Sequence, residues 1–369
     1  MIRWQIGEVM DVLSSCPTLQ ELSVRVEGRT EKALSFPALI GPVRKGDRVL
    51  LNTTAVYLGL GTGGYHLVAQ TVQRNGSEKP DVQPVSPLSS ISGHIMKIRY
   101  TPYQIAVQSC EEENSPFHEI MKTASSLEGM PVLIGELHSM LPILVTGIKW
   151  FKKTQNWRIV YVMSDGAALP LAMSRHVQTL RSCDWIAGTI TYGHAFGGDL
   201  EAVNLYSALL AARHILQADV AILMMGPGTV GTGTKWGFSG AEVAEMIHAT
   251  FSLEGRPILV PRISFADRRS RHQGISHHQM TLIRQAIHVP FIYSVPPFQG
   301  REEEVIRGQL ASICHSKVQL YRRSILEWDD LFALLEHYPG SEITVMGRTV
   351  RQDPAYFWGV LHGLAPLLD

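Results

Sequence analysis

Apolar positions along the chain fall into two regimes. In residues 1–75 they come in short runs, at 22–26, 33–36, 48–51 and 66–72, separated by turn signals such as Gly46-Asp47. No helical period follows the first dozen residues. Several short strands in that length predict a small closed barrel, SH3-like or OB-like. From about residue 93 the pattern changes. Apolar runs at 132–134, 159–163, 185–192, 220–225, 257–263 and 289–295, with a further one at 342–346, alternate with segments spaced in threes and fours. Val203, Tyr206 and Leu210 share one predicted helical face, and Val243, Ile247 and Phe251 share another. Near-continuous apolar strands alternating with helices predict an α/β fold, a doubly wound, mostly parallel sheet covered on both faces.

Local signals punctuate this pattern. Ser239 with Glu242, and Ser324 with Glu327, have capping-box spacing. Asp353-Pro354 fits an N-cap followed by proline in the first helical turn. Asp199 stands directly before an expected helix over 200–216 and is read at least as its N-cap. The Pro- and Ser-rich stretch after Gln73 predicts a linker and a boundary near residue 85. The expected domains are 1–85, a barrel with linker, and 86–369, a Rossmann-like α/β domain. Two domains also suit 369 residues.

Composition then removes function classes. Lys plus Arg and Asp plus Glu are both 33, so the net charge is zero and no general attraction to nucleic acid or an anionic membrane is expected. No apolar run approaches the roughly 20 residues of a membrane span. Cys16, Cys110, Cys183 and Cys314 stand far apart, suggesting neither a zinc cage nor a disulfide framework. The N-terminus lacks a signal-peptide pattern, so a cytoplasmic location with reduced thiols is expected.

Candidate chemistry follows from the sheet. Ligands of open parallel sheets bind beyond the carboxyl ends of the strands. There the sequence places Glu136 and His138, Ser164 and Asp165, residues 192–199, a glycine-rich stretch over 226–240, the arginines and histidines of 262–278, and Gly347 with Arg348. The glycine stretch follows an apolar strand. Gly226, Gly228 and Gly231 have dinucleotide-fingerprint spacing, but Pro227 interrupts them and the helix start near Ser239 comes a dozen residues too late. Lys235 stands out of register for a P-loop. The preferred reading is a loop that wraps an anion with its amides, Gly233 included, with Lys235 as a point charge. Gly59–Gly64 repeats the fingerprint spacing without a helix and is read as a hairpin or bulge.

Gly197 and Gly198 would let the backbone approach a ligand, with Asp199 beside them. His194 and Asp165 are the candidate acid or base, Asp165 having loop-amide capping as an equal alternative. Arg268 and Arg271 would hold the anion. His272, His277 and His278 raise the question of a metal, though no diagnostic metal motif accompanies them. Gly237-Phe-Ser239-Gly240 lacks a nucleophile elbow, so serine hydrolysis is not expected.

Taken together, the motifs at 226–240, 164–170, 193–199 and 274–278, with the N-terminal 46–52, resemble an uncharacterised bacterial family that carries only a domain-of-unknown-function label. The resemblance runs over most of the chain and implies no activity, ligand or catalytic residue. The leading expectation is therefore a small phosphorylated or nucleotide-like ligand, bound by an enzyme or a sensor. A scaffold protein and an NADP-dependent oxidoreductase are the alternatives. Cofactor, metal, reaction and oligomeric state, a homo-oligomer included, stay open in the sequence.

Overall fold

The computed structural model describes residues 3–57, 59, 63–76, 93–99, 103, 105–267, 269–313 and 316–368. They form two compact units, Met1–Ala106 and Val107–Asp369. The expected boundary near residue 85 lies outside the described residues, as do Leu60, Gly61 and Thr62 of the second glycine motif.

The first unit holds β1 (Trp4–Ser15), β2 (Gln20–Val26), β3 (Arg29–Ser35), α1 (Pro37–Ile40), β4 (Arg48–Asn52), α2 (Thr54–Tyr57) and β5 (Tyr65–Gln73). The five strands close a barrel in the order β1-β2-β3-β5-β4. β3 and β5 pair in parallel, and β1 closes antiparallel on β4. That is the OB-like member of the expected pair. Val9, Leu22, Val24, Val49 and Leu51 fill the interior. β1 was invisible as a strand because its register slips between Val9 and Asp11 and again between Val12 and Ser14, which breaks the alternation that marks a strand.

The first unit also holds β6 (Ile95–Lys97), which pairs with β7 (Ile105–Val107) at the division, and the second unit opens with α3 (His118–Thr123). The remaining elements of the second unit are β8 (Pro131–Gly135), α4 (Met140–Phe151), β9 (Ile159–Ser164), α5 (Arg175–Ser182), β10 (Gly188–Tyr192), β11 (Leu200–Ala202), α6 (Leu205–His214), β12 (Val220–Met225), α7 (Val243–Ser252), β13 (Arg256–Leu259), β14 (Ile263–Ser264), β15 (Gly274–Ile275), α8 (His277–Gln285), β16 (Phe291–Ser294), α9 (Gly300–Ala311), β17 (Val318–Tyr321), α10 (Asp330–Glu336) and α11 (Pro354–His362). Eight of these strands form one sheet in the order β11-β10-β9-β12-β8-β13-β16-β17, parallel at every pairing. β9 and β12 are buried at every position. Side chains covered on both faces explain why these runs are apolar throughout rather than alternating.

The strand order fixes where a ligand fits. α4 and α5 lead the chain toward the β11 edge, whereas α6 to α9 lead it back toward β17. Right-handed crossovers put these two sets of helices on opposite faces of the sheet. α4 accordingly packs against α5, α10 and α11, and α6 packs against α7. Across the neighbours β9, β12, β8 and β13, successive exits therefore leave to alternate faces. The carboxyl ends of these four strands open the crevices in which such sheets hold ligands.

Several local expectations need correction. Residues 200–216 are not one helix: 200–202 add β11 to the sheet edge, and α6 starts at Leu205 with Asn204 as its N-cap. Asp199 is therefore no helix cap. The face expected to be buried there is also wrong, since Val203 and Tyr206 are 44% and 48% exposed while Ala208, Leu209, Ala211 and Ala212 are buried. Phe251 is exposed at the end of the other expected face, whose Val243 and Ile247 are buried. Neither capping box forms. Ser239 bonds Val230, and Ser324 donates to the Leu326 carbonyl. The run at 342–346 makes only a bridge between Val345 and Arg348. Asp353-Pro354 does open α11, but the Asp353 carboxylate turns inward instead of capping it.

Candidate functional site

The glycine-rich stretch is a hairpin. Gly231 bridges Phe238, Thr232 donates its amide to the Gly237 carbonyl at 2.8 Å, and the Ser239 amide reaches the Val230 carbonyl at 2.9 Å. The Val230 amide donates to Ser239 Oγ at 3.0 Å. Much of the backbone is thus zipped to itself rather than spread around an anion. Gly228 and Gly233 have φ of 106° and 78°, which only glycine adopts without strain. At the foot of the hairpin, a Cβ on Gly226 would lie 2.9 Å from the Ala168 carbonyl oxygen. The Ala168 amide in turn donates to the Pro227 carbonyl at 3.0 Å, tying this foot to the loop after β9.

The hairpin lies against the arginine and histidine segment. Phe238 stacks on the His278 ring with centroids 4.0 Å apart and planes 1° from parallel. A Cβ on Gly233 would sit 3.8 Å from a terminal nitrogen of Arg271. Arg271 and Lys235 are exposed, and neither pairs with a carboxylate among the described residues; Lys235 leans over the Trp236 ring at 6.0 Å. His272, His277 and His278 cluster at ring separations of 4.1–5.5 Å. Burial, reinforced by neighbouring arginines, lowers all three histidine pKa values, to about 3 for His278 and about 4 for His272. They are neutral at pH 7. Among the described residues no group of three or more histidine, cysteine or acidic side chains is placed to hold a metal ion. Arg268 lies outside the described residues.

Three ion pairs with buried carboxylates lie in this region. Arg262, beyond the end of β13, donates to Glu136 Oε2 at 2.8 Å and contacts His278 Nδ1 at 3.3 Å. Glu136 follows β8 and is 1% exposed; burial outweighs Arg262 and raises its pKa. Asp353 accepts from Ser264 Oγ at 2.8 Å and Arg348 Nε at 3.0 Å, and Asp267 accepts two bonds from the Arg269 guanidinium.

The other expected residues separate from this group. Asp165 Oδ2 accepts the His194 backbone amide at 2.8 Å, so the carboxylate braces the turn after β10. Asp199 Oδ2 takes the Thr189 amide and hydroxyl at 2.9 and 2.8 Å, while its other oxygen pairs with Arg181. A Cβ on Gly198 would meet the Leu200 carbonyl oxygen at 2.7 Å and the Thr191 amide nitrogen at 2.8 Å. Gly197 donates its amide to Glu201 Oε1 at 2.7 Å. Residues 197–199 thus shape the turn from β10 into β11.

Two features escaped the sequence. Glu242, read as half of a capping box, instead accepts the Ser164 hydroxyl at 2.6 Å beside Asp165. Burial, with the charges of Asp165 and Glu245, raises its pKa to about 7. Its place after the glycine hairpin, next to the β9 carboxyl end, was the available signal. His138 is buried with Nε2 on Ser174 Oγ at 2.6 Å and Nδ1 on Tyr161 Oη at 3.2 Å, a neutral core network.

A family model matches residues 32–363 and describes a protein of unknown function, DUF3866. The chain belongs to the DUF3866 family. This match runs from the third barrel strand to just past α11, so the DUF3866 unit includes the hairpin and every ion pair described above. No curated protein and no solved structure matches the chain. Among the described residues, no helix is long and apolar enough to cross a membrane.

Proposed function

We propose that this DUF3866 protein binds a small phosphorylated ligand between the glycine hairpin and the 267–278 segment. Lys235 and Arg271 hold the anion. One observation carries the reading. Two cations without carboxylate partners among the described residues stand on facing elements, with Gly233 close to the Arg271 guanidinium, at the carboxyl edge where strand exits alternate. Arginine forks and lysine point charges both suit phosphate. The dinucleotide alternative draws no support from this loop. Its third glycine pairs in a hairpin rather than opening a helix.

Turnover of the ligand is the second reading, and Glu242 favours it. A half-buried carboxyl group that titrates near neutrality suits proton transfer, and it sits at the β9–β12 crevice. Asp165 then serves as the brace for this region rather than as the base.

Isothermal titration with inorganic pyrophosphate and glycerol 3-phosphate tests the binding. Lys235→Ala and Arg271→Ala each weaken it about tenfold, the range for a charge-assisted bond. Unchanged affinity in the double variant would refute the assignment.

A further inference from the structure

The two edges of the large sheet are finished differently. At the β11 edge, Cys110 donates its amide to the Glu201 carbonyl at 2.8 Å and Ser109 bridges Glu201. The Glu111 carboxylate takes the Val203 amide there, also at 2.8 Å. Such covering is how sheets keep an edge from pairing with other chains. At the opposite edge, β17 pairs with β16 alone among the described residues. Two bonds of that pairing fix which way its backbone points. Phe291 donates its amide to the Lys317 carbonyl, and Val295 donates to the Tyr321 carbonyl, each at 3.0 Å. Alternate residues of a parallel strand face the same neighbour, so Gln319 belongs to this set. Val318 and Leu320 therefore turn their amides and carbonyls away from β16, with no partner for them among the described residues.

A row of open backbone groups is a template for one more strand. Side chains and charge set which strand fits. Val318 and Leu320 share one face of the sheet and are half-buried against the core, so an added strand would lay alternate apolar residues beside them. The segment 317–323, Lys-Val-Gln-Leu-Tyr-Arg-Arg, holds Lys317, Arg322 and Arg323 and no acid. Arg322 pairs with Glu303, Arg323 donates to the Ala365 carbonyl at 3.0 Å, and Lys317 stands 3.5 Å from His288 Nδ1. The edge is thus basic at both ends. A second copy of β17 laid antiparallel would set the Lys317 end of each copy against the Arg322–Arg323 end of the other. Like charges across a strand pair are destabilising, so self-pairing is disfavoured. The same charges attract a strand with carboxylates at its ends.

We propose that β17 is a docking edge for an extended acidic peptide of another protein, which adds a ninth strand to the eight-stranded sheet. Its backbone pairs with Val318 and Leu320, its apolar residues lie beside theirs, and its acidic ends face Lys317 and Arg323. Main-chain bonds supply the affinity, and the terminal carboxylates supply the selection.

A fluorescein-labelled peptide of alternating Val and Thr, with Asp and Glu at both ends, tests this by anisotropy against the full chain, beside a twin with Lys at both ends. The acidic peptide binds about tenfold more tightly than its twin, and the difference shrinks as salt is added. Leu320→Pro removes an amide that β16 does not use, so the sheet keeps its pairing while the edge loses a donor. It weakens the acidic peptide about tenfold with the circular dichroism of wild type. Lys317→Glu lowers the preference for the acidic peptide about threefold, and it carries the test should Leu320→Pro fail to fold. Failure of wild-type protein to bind the acidic peptide overturns the proposal. Unchanged binding by folded Leu320→Pro overturns this edge as the place, and equal affinity for the twins overturns the acidic partner. A wild-type dimer that Leu320→Pro dissolves overturns it in favour of a second copy on the same edge.

Discussion

Removing the cation from the buried pair gives the sharpest test of the site's electrostatics. Arg262→Met keeps an unbranched apolar stem but leaves the Glu136 carboxylate without a counter-charge, 1% exposed and with its second oxygen already unpaired. Breaking a buried pair on one side costs about 3–5 kcal/mol. For a unit spanning Val107–Asp369 that corresponds to a fall of about 6–20 °C in melting temperature. The loss depends on pH in a definite direction. Burial already raises the Glu136 pKa in the folded chain, and loss of Arg262 raises it further. The folded state then binds the proton more tightly than the unfolded one. Stability from this group is full below the ordinary carboxylate pKa and is lost as pH rises through the raised folded value. Urea unfolding followed by circular dichroism at pH 5, 6, 7 and 8 should show the variant weakening faster than wild type, by at most about 1.4 kcal/mol per pH unit. Glu136→Gln with Arg262→Met should recover most of the loss, because both charges are gone. A single variant matching wild type at pH 8, or weakening as pH falls, would refute the account of Glu136 as a desolvated carboxylate dependent on Arg262.

Two further outcomes follow from the same reasoning. Glu242→Gln keeps an acceptor for Ser164 but removes a carboxyl group whose pKa is raised to about 7, so it should stabilise the protein at pH 8.5 by up to about 3 kcal/mol and much less at pH 5, as read by denaturant titration. Asp199→Ala should cost about 1–3 kcal/mol in urea by stranding the Thr189 amide and hydroxyl, and leave phosphate-ester binding unchanged; weakened binding with unaltered stability would return Asp199 to the ligand site.

The large architecture was legible because burial on both faces writes itself into composition. β9 and β12 are apolar at nearly every position, and a run of that kind between helical spacings leaves few alternatives. β1 was not, because bulges move its apolar residues out of phase. Asp199 was read as a cap since a carboxylate before Leu200 suits a helix start. The edge strand β11 won there by pairing Ile190 with Leu200 and Thr191 with Glu201. At the site, the carboxyl-edge rule located the glycine stretch and the arginine segment, but not the zipping of one into a hairpin nor the stacking of Phe238 on His278. The stack depends on residues forty positions apart meeting in space, and the hairpin pairs Gly231 with Phe238 across a loop that carries no strand pattern. Glu136 and Arg262 stood among the strand-end residues, and nothing in sequence shows that one would neutralise the other.

The order of strands in the sheet also bears on how the chain is made. β8 lies at its centre, yet Val132 pairs with Ala221 on one side and with Pro257 on the other. The central strand emerges during synthesis long before either neighbour exists. Its Val132–Ile134 surface, fully buried at the end, must wait uncovered while α4, β9, α5, β10, β11 and α6 are produced. Long-range parallel pairing of this kind is slow to form and prone to aggregation on the way. A growing chain halted anywhere before residue 220 therefore carries the central strand of its sheet with neither of that strand's neighbours yet made.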